Sequence, residues 1–259
     1  MGIHVKFETL NVNGKHLAVT RCGDGDLLIV PVHGWTCRRS HWAAQLALLA
    51  EFGEVLAVDL PGHGDSAASP PDTPTVTGLA STLADLARQQ ADGRPLVLIG
   101  HSMGGAVALE AARLLDNVRS VVLVDTFVIP YGDLPEESAR EIEQAFAADF
   151  VGAMQGLVDT NLHESVPLAA RAQLHHDMAS ADTAWALPLW SDLLRWQPDA
   201  ALSHSGGRIV AINGGMIPDA ARQRCQPFIT EHVLAEAKHF PQMEFTDAFN
   251  RQLQAVMAG

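Results

Sequence analysis

The chain has 259 residues, of which 47% are apolar and 18% charged. That composition excludes an intrinsically disordered segment and supplies ample material for a buried core. The 30 Asp and Glu against 17 Lys and Arg leave a formal net charge of −13, which excludes a phosphate-backbone binder and repels anionic membrane surfaces.

The stretch from Met1 to Glu8 lacks the basic and then apolar order of a secretory signal. Lys6 stands where a myristoylation signal on Gly2 needs Ser or Thr. No apolar run approaches the roughly 20 residues of a membrane helix. Cys22, Cys37 and Cys225 are scattered and form no C-x-x-C pair. They read as reduced thiols of a cytoplasmic protein. The 12 histidines show no zinc-binding spacing, so no metal site is expected.

Short apolar runs then alternate with helical patterns. His16–Thr20 reads as a strand, followed by a turn at Gly23–Asp26. Leu27–Val32 is a continuous apolar run, as in a strand covered on both faces; Val55–Val58, Leu96–Ile99, Val121–Val124 and Ile209–Ile212 are four more. Helical patterns span Trp42–Glu51, Val76–Gln90 and Met103–Leu115. This alternation predicts an α/β architecture, a mainly parallel sheet with helices on both faces. From Phe127 to Ser205 the pattern is helical throughout, and sheet-like runs resume only at Ile209. Such a block reads as a helical cap inserted into one sheet domain, with the core at 1–126 and 206–259 and the cap at 127–205. A strand at Glu231–Leu234 and a helix at Thr246–Met257 close the chain.

The sharpest chemical signal is Gly100-His101-Ser102-Met103-Gly104. It follows the strand Leu96–Ile99 and opens the helical Ala106–Arg113 segment, the setting of a nucleophile elbow. The small residues let strand and helix approach closely, and the helix N-terminus aims free N–H groups at developing negative charge. With His33-Gly34-Trp35, the Asp59–Ser66 segment (DLPGHGDS) and His239 in the same order and spacing, the chain resembles the α/β-hydrolase fold family over essentially its whole length. The resemblance implies a mostly parallel eight-stranded sheet flanked by helices, with a helical cap after strand six.

It also implies a Ser-His-Asp triad and no cofactor. Ser102 would be the nucleophile and His239 the base, although Lys238 replaces the usual preceding Gly. Met103 and Trp35 would offer backbone N–H groups to an oxyanion. The position after strand seven that carries the acid in many relatives is Ile217 here. Asp125, at the end of strand six, is the preferred substitute, as in a subset of the family; Asp219 is the alternative. His63 and Asp65 resemble a structural turn. His33, Gly34, His101, Trp185 and Trp190 are the expected substrate-binding residues. The activity so implied is hydrolysis of a small to medium, fairly apolar ester, thioester or lactone by a monomer or homodimer without nucleic acid or membrane as partner. Two alternatives accompany it. One is cofactor-independent ring cleavage of 3-hydroxy-4-quinolones, to which His33, Trp35, His101, Ser102 and Asp125 would also suit, although Met103 stands where that group tends to carry His. The other is a non-catalytic ligand receptor on the same fold.

Overall fold

The structure is a computed structural model and describes residues 3–259, so the reading of Gly2 lies outside the described residues. Eight strands run in the order β1 (Val5–Val12), β2 (Lys15–Cys22), β3 (Leu28–Val32), β4 (Glu54–Val58), β5 (Leu96–His101), β6 (Val118–Val124), β7 (Arg208–Gly214) and β8 (Ile229–Leu234) along the chain. In space they form one sheet ordered β1-β2-β4-β3-β5-β6-β7-β8. The β1–β2 and β2–β4 pairs are antiparallel, and the other five pairs are parallel.

The five-residue strand β3 is buried at every position and β5 at all six, which is why both read as continuous apolar runs. Their side chains still alternate between two separate cores. Leu28, Val30 and Val32 of β3 face the helices α2 (Val76–Ala91) and α3 (Met103–Ala112). Ile29, Val97 and Ile99 face the opposite layer, where Phe249 and Leu253 of α11 (Thr246–Ala258) pack beside Trp42, Leu46 and Leu49. The helical pattern at Trp42–Glu51 divides into a 3-10 turn at Arg39–Trp42 and a four-residue helix α1 (Leu46–Leu49). A buried carboxylate fixes the start of the 3-10 turn. Asp59 accepts from the Arg39 amide at 2.6 Å and pairs with the Arg39 guanidinium, so the chain before Trp42 is pinned to the end of β4. Strand β1 has no continuous apolar run. It is an edge strand, and Phe7 on it stays 75% exposed.

Between β6 and β7 lie five helices, α4 (Glu136–Ala148), α5 (Phe150–Asn161), α6 (Leu168–Ala179), α7 (Thr183–Leu194) and α8 (Asp199–Ser203). Their apolar faces join the same core as α2 and α3. The side chain of Trp35, just past β3, anchors them. Its indole stacks on Trp190 with ring centres 4.3 Å apart, meets Phe146 edge-on at 5.2 Å, and donates its N–H to the Ala186 carbonyl at 3.0 Å. The last helices are α9 (Asp219–Cys225) between β7 and β8, and α10 (Pro241–Glu244) leading into α11.

Candidate active site

The parallel strands bring three turns to one edge of the sheet, because His101 pairs with Val124 and Val124 with Ile212. Ser102 follows β5 directly and holds φ +52°, ψ −125°, a conformation that L side chains adopt only under constraint. The constraint comes from close packing around the turn. A Cβ on Gly104 would lie 2.5 Å from the carbonyl oxygens of both His33 and Val32, and one on Gly100 would strike the Gly104 carbonyl. Backbone on both sides leaves no room to shift. The Ser102 N–H is fixed to the Val124 carbonyl at 2.9 Å, which leaves its hydroxyl at the head of α3.

Asp125 follows β6 directly and sits in the left-handed region at φ +49°, ψ +37°, where Asp and Asn are better tolerated than most residues. It is fully buried. One carboxylate oxygen, Oδ1, accepts from the Gly214 N–H at 2.8 Å; the other, Oδ2, accepts from His239 Nδ1 at 2.6 Å. The Asp125 N–H in turn donates to Asn213 Oδ1 at 3.2 Å, and Asn213 Nδ2 donates to Glu231 at 2.7 Å. His239 Nε2 lies 3.0 Å from Ser102 Oγ. With Nδ1–H committed to an acceptor-only carboxylate, Nε2 carries the lone pair that faces the hydroxyl. Ser102, His239 and Asp125 thus stand in one hydrogen-bonded line. Asp219 is exposed at the start of α9 and lines a different cavity, of about 370 Å³ between α9, β7 and β8.

Neither the Trp35 nor the Met103 N–H has an acceptor among the described residues. Met103 opens α3, whose first-turn amides have no partner within the helix. Gly34 keeps the preceding loop against the elbow, since a Cβ there would come within 3.2 Å of Ser102 Cβ. The turn at Thr36 (φ +55°) is closed by the Cys37 N–H donating to the Gly34 carbonyl at 3.1 Å.

The serine opens into a cavity of about 540 Å³ between the sheet edge and the inserted helices. Gly34, His101 and Trp190 line it, together with Phe146, Leu157 and Met178. No Lys, Arg, Asp or Glu lines it. Cys37 does, but burial pushes its thiol up to about 12, so it is no competing nucleophile.

Two expected lining residues require correction. His33 is fully buried beneath the loop. Its Nδ1–H donates to the Gly34 carbonyl at 2.8 Å and its Nε2 accepts from the Leu60 N–H at 3.0 Å, so it ties two loops together and faces no ligand. Trp185 does not line this cavity. Its ring packs 4.4 Å from His63 and fills the space over Gly62, whose φ of +81° no larger residue shares easily. It belongs to the Asp59–Ser66 turn. That turn is built around Asp59, which also accepts from the Asp65 N–H at 2.8 Å.

His101 touches the cavity, but its Nε2–H is committed to the carbonyl of His239 at 2.7 Å. Burial holds its imidazole well below the usual range, so it stays neutral. Asn213 and Glu244 had no marker in the sequence. Asn213 accepts from the Asp125 N–H, and Glu244 accepts from the amides of Lys238 and Phe240 that flank His239; neither belongs to a motif of its own.

Residues 28–252 match the profile of the alpha/beta hydrolase family. The chain belongs to that family. Over 274 aligned positions it is 29% identical to a dihydrolipoyllysine-residue acetyltransferase component of an acetoin cleaving system from Cupriavidus necator, covering 98% of this chain and 69% of that protein. It is 37% identical over 134 residues to the lipase LipV of Mycobacterium tuberculosis, covering 51% of this chain but only 48% of that protein's length. An esterase from Exiguobacterium antarcticum superposes with a TM-score of 0.85 at 19% identity, over 98% of this chain and 99% of that one. At that identity the likeness shows the fold, and chemistry has to be argued from the site.

Proposed function

We propose that this protein is a serine hydrolase that cleaves an uncharged, fairly apolar carboxylic ester, thioester or lactone of small to medium size through an acyl-enzyme on Ser102. The observation that carries this reading is the line Ser102 Oγ, His239 Nε2, His239 Nδ1, Asp125 Oδ2, with steps of 3.0 and 2.6 Å between side chains, opening into a cavity free of charged lining residues. His239 Nε2 takes the hydroxyl proton as Ser102 Oγ attacks the substrate carbonyl. Asp125 keeps the imidazole in the Nδ1–H tautomer and stabilises the imidazolium. The Trp35 and Met103 N–H groups hold the tetrahedral oxyanion. His239 then returns the proton to the leaving group, and water repeats the sequence to release the acid. The lipase name of one relative supports ester cleavage. The cavity volume falls within the range of about 300–1,000 Å³ usual for small-molecule sites, which suits a small-molecule substrate.

Turnover of p-nitrophenyl esters of graded acyl length tests the reading. Neutral esters should be hydrolysed and a matched ester with an anionic acyl tail should be at least about tenfold poorer, because the cavity offers no cation. Ser102→Ala should abolish both. Activity on a 3-hydroxy-4-quinolone with oxygen uptake and carbon monoxide release, retained in Ser102→Ala, would replace hydrolysis by ring cleavage. Saturable ligand binding with no turnover would make the protein a receptor.

A further inference from the structure

The base sits in a loop, so something must fix it. Lys238, His239 and Phe240 follow the end of β8 and precede α10, with no ladder partners of their own. The N–H and C=O of His239 and the N–H groups on either side of it nevertheless all have partners. The His239 N–H donates to the carbonyl of Asn161, the last residue of α5, at 3.0 Å, and the His239 carbonyl accepts from His101. The flanking amides converge on one carboxylate. Glu244 Oε2 accepts from the Lys238 N–H at 2.6 Å, while Oε1 accepts from the Phe240 N–H at 3.2 Å and the His163 N–H at 3.1 Å. His163 belongs to the turn that follows α5, so a single side chain binds the histidine loop on both sides of the imidazole and ties it to the inserted helices. Glu244 is partly buried, and among the described residues no Lys, Arg or His forms an ion pair with it. Its partners are main-chain donors in three different places, which a carboxylate with four acceptor sites can serve at once.

We propose that Glu244 is a positioning residue for His239, clamping the histidine loop to the segment after α5 so that Nε2 is held against the Ser102 hydroxyl. The proposal rests on the reading of His239 as the base. The clamp acts on where the imidazole lies and leaves substrate contact to the cavity wall, so its loss should appear in kcat rather than in KM. A displacement of about 1 Å at a reacting group can cost on the order of 100-fold in rate. Glutamine keeps the shape of Glu244 but only one acceptor oxygen. It can serve Lys238 or the His163 and Phe240 pair, and it turns an N–H₂ donor toward whichever remains.

The test compares wild type with Glu244→Gln by steady-state kinetics on a neutral ester and by the far-downfield NMR resonance of the His239 Nδ1 proton. The expected result is a fall in kcat of about 10- to 100-fold with KM unchanged within about threefold, and a weakened or lost Nδ1 proton signal in a folded protein. Unchanged kcat with that signal intact would overturn the proposal, as would a loss of rate that only tracks a smaller folded fraction. Should the variant not fold, amide exchange in wild type decides: slow exchange together at His163, Lys238 and Phe240 is expected, and free exchange at these loop amides overturns the clamp. Failure of Ser102 to react in the wild-type protein would instead sink the hydrolase reading, since neither the exchange nor the proton signal depends on turnover.

Discussion

At the scale of single residues, the proposed acid is where this chain departs from the commoner arrangement, and its placement is the first thing to test. Ile217 occupies the position after β7 and is buried among apolar neighbours, while Asp125 reaches His239 from the end of β6. Asp125→Asn should leave the fold intact and lower kcat by roughly 10⁴, because an amide can present its N–H₂ to Nδ1 and favour the wrong tautomer. Asp219→Asn should leave kcat within about twofold, since Asp219 lines another cavity; steady-state kinetics with circular dichroism as the folding control checks both. Asp125 was legible in the sequence because strand ends are fixed by the ladder. Trp185 and His33 were misread for a related reason. Sequence places a residue near an edge, but the direction of its side chain depends on which neighbour claims it. His63 claims Trp185, and the Leu60 amide claims His33.

At the scale of elements, the continuous apolar strands were the most legible because burial on both faces leaves no alternative pattern. Strand β1 was not, since an edge strand paired on one side needs little apolar surface. The divided helix around Trp42 was not either, because its 3-10 turn starts at Arg39, which is held by Asp59, a residue 20 positions on. Two substitutions test the packing logic. Phe249→Ala on α11 removes a fully buried ring from the second core and should cost about 3–5 kcal/mol, read as a lower urea midpoint. Gly104→Ala places a methyl against two carbonyl oxygens and should destabilise the elbow by about 1–3 kcal/mol, with loss of activity exceeding loss of folded protein. A wild-type midpoint in either variant would contradict the corresponding account.

At the scale of the whole molecule, buried neutral histidines couple the fold to pH. Burial lowers His33 and His63 to about 3, and His101 well below its ordinary value. In the unfolded chain these imidazoles take up protons near pH 6.5, whereas in the folded protein they do not. The unfolded state therefore binds more protons on acidification. Stability should be at its full value above about pH 6.5 and fall as pH drops from there toward 3. The slope is up to about 1.4 kcal/mol per pH unit for each imidazole. Urea melts at pH 7 and pH 5 check this; equal midpoints would contradict it. None of the described helices is long and apolar enough to cross a membrane, and the cavity at Ser102 lies between the sheet edge and the helices α4–α7. The run of helices between β6 and β7 was legible from the change of period after Asp125. The shape of that cavity was not, because it depends on how Trp35, Phe146 and Trp190 stack, a contact among residues up to 155 positions apart.

The central claim is that Ser102 is an activated nucleophile. Incubation with a fluorophosphonate probe, read by intact mass, tests it most directly. One adduct per chain is expected on the wild-type protein, none on Ser102→Ala, and strongly slowed labelling on Asp125→Asn. A folded wild-type protein that stays unlabelled, or a Ser102→Ala variant that labels equally well, would contradict it.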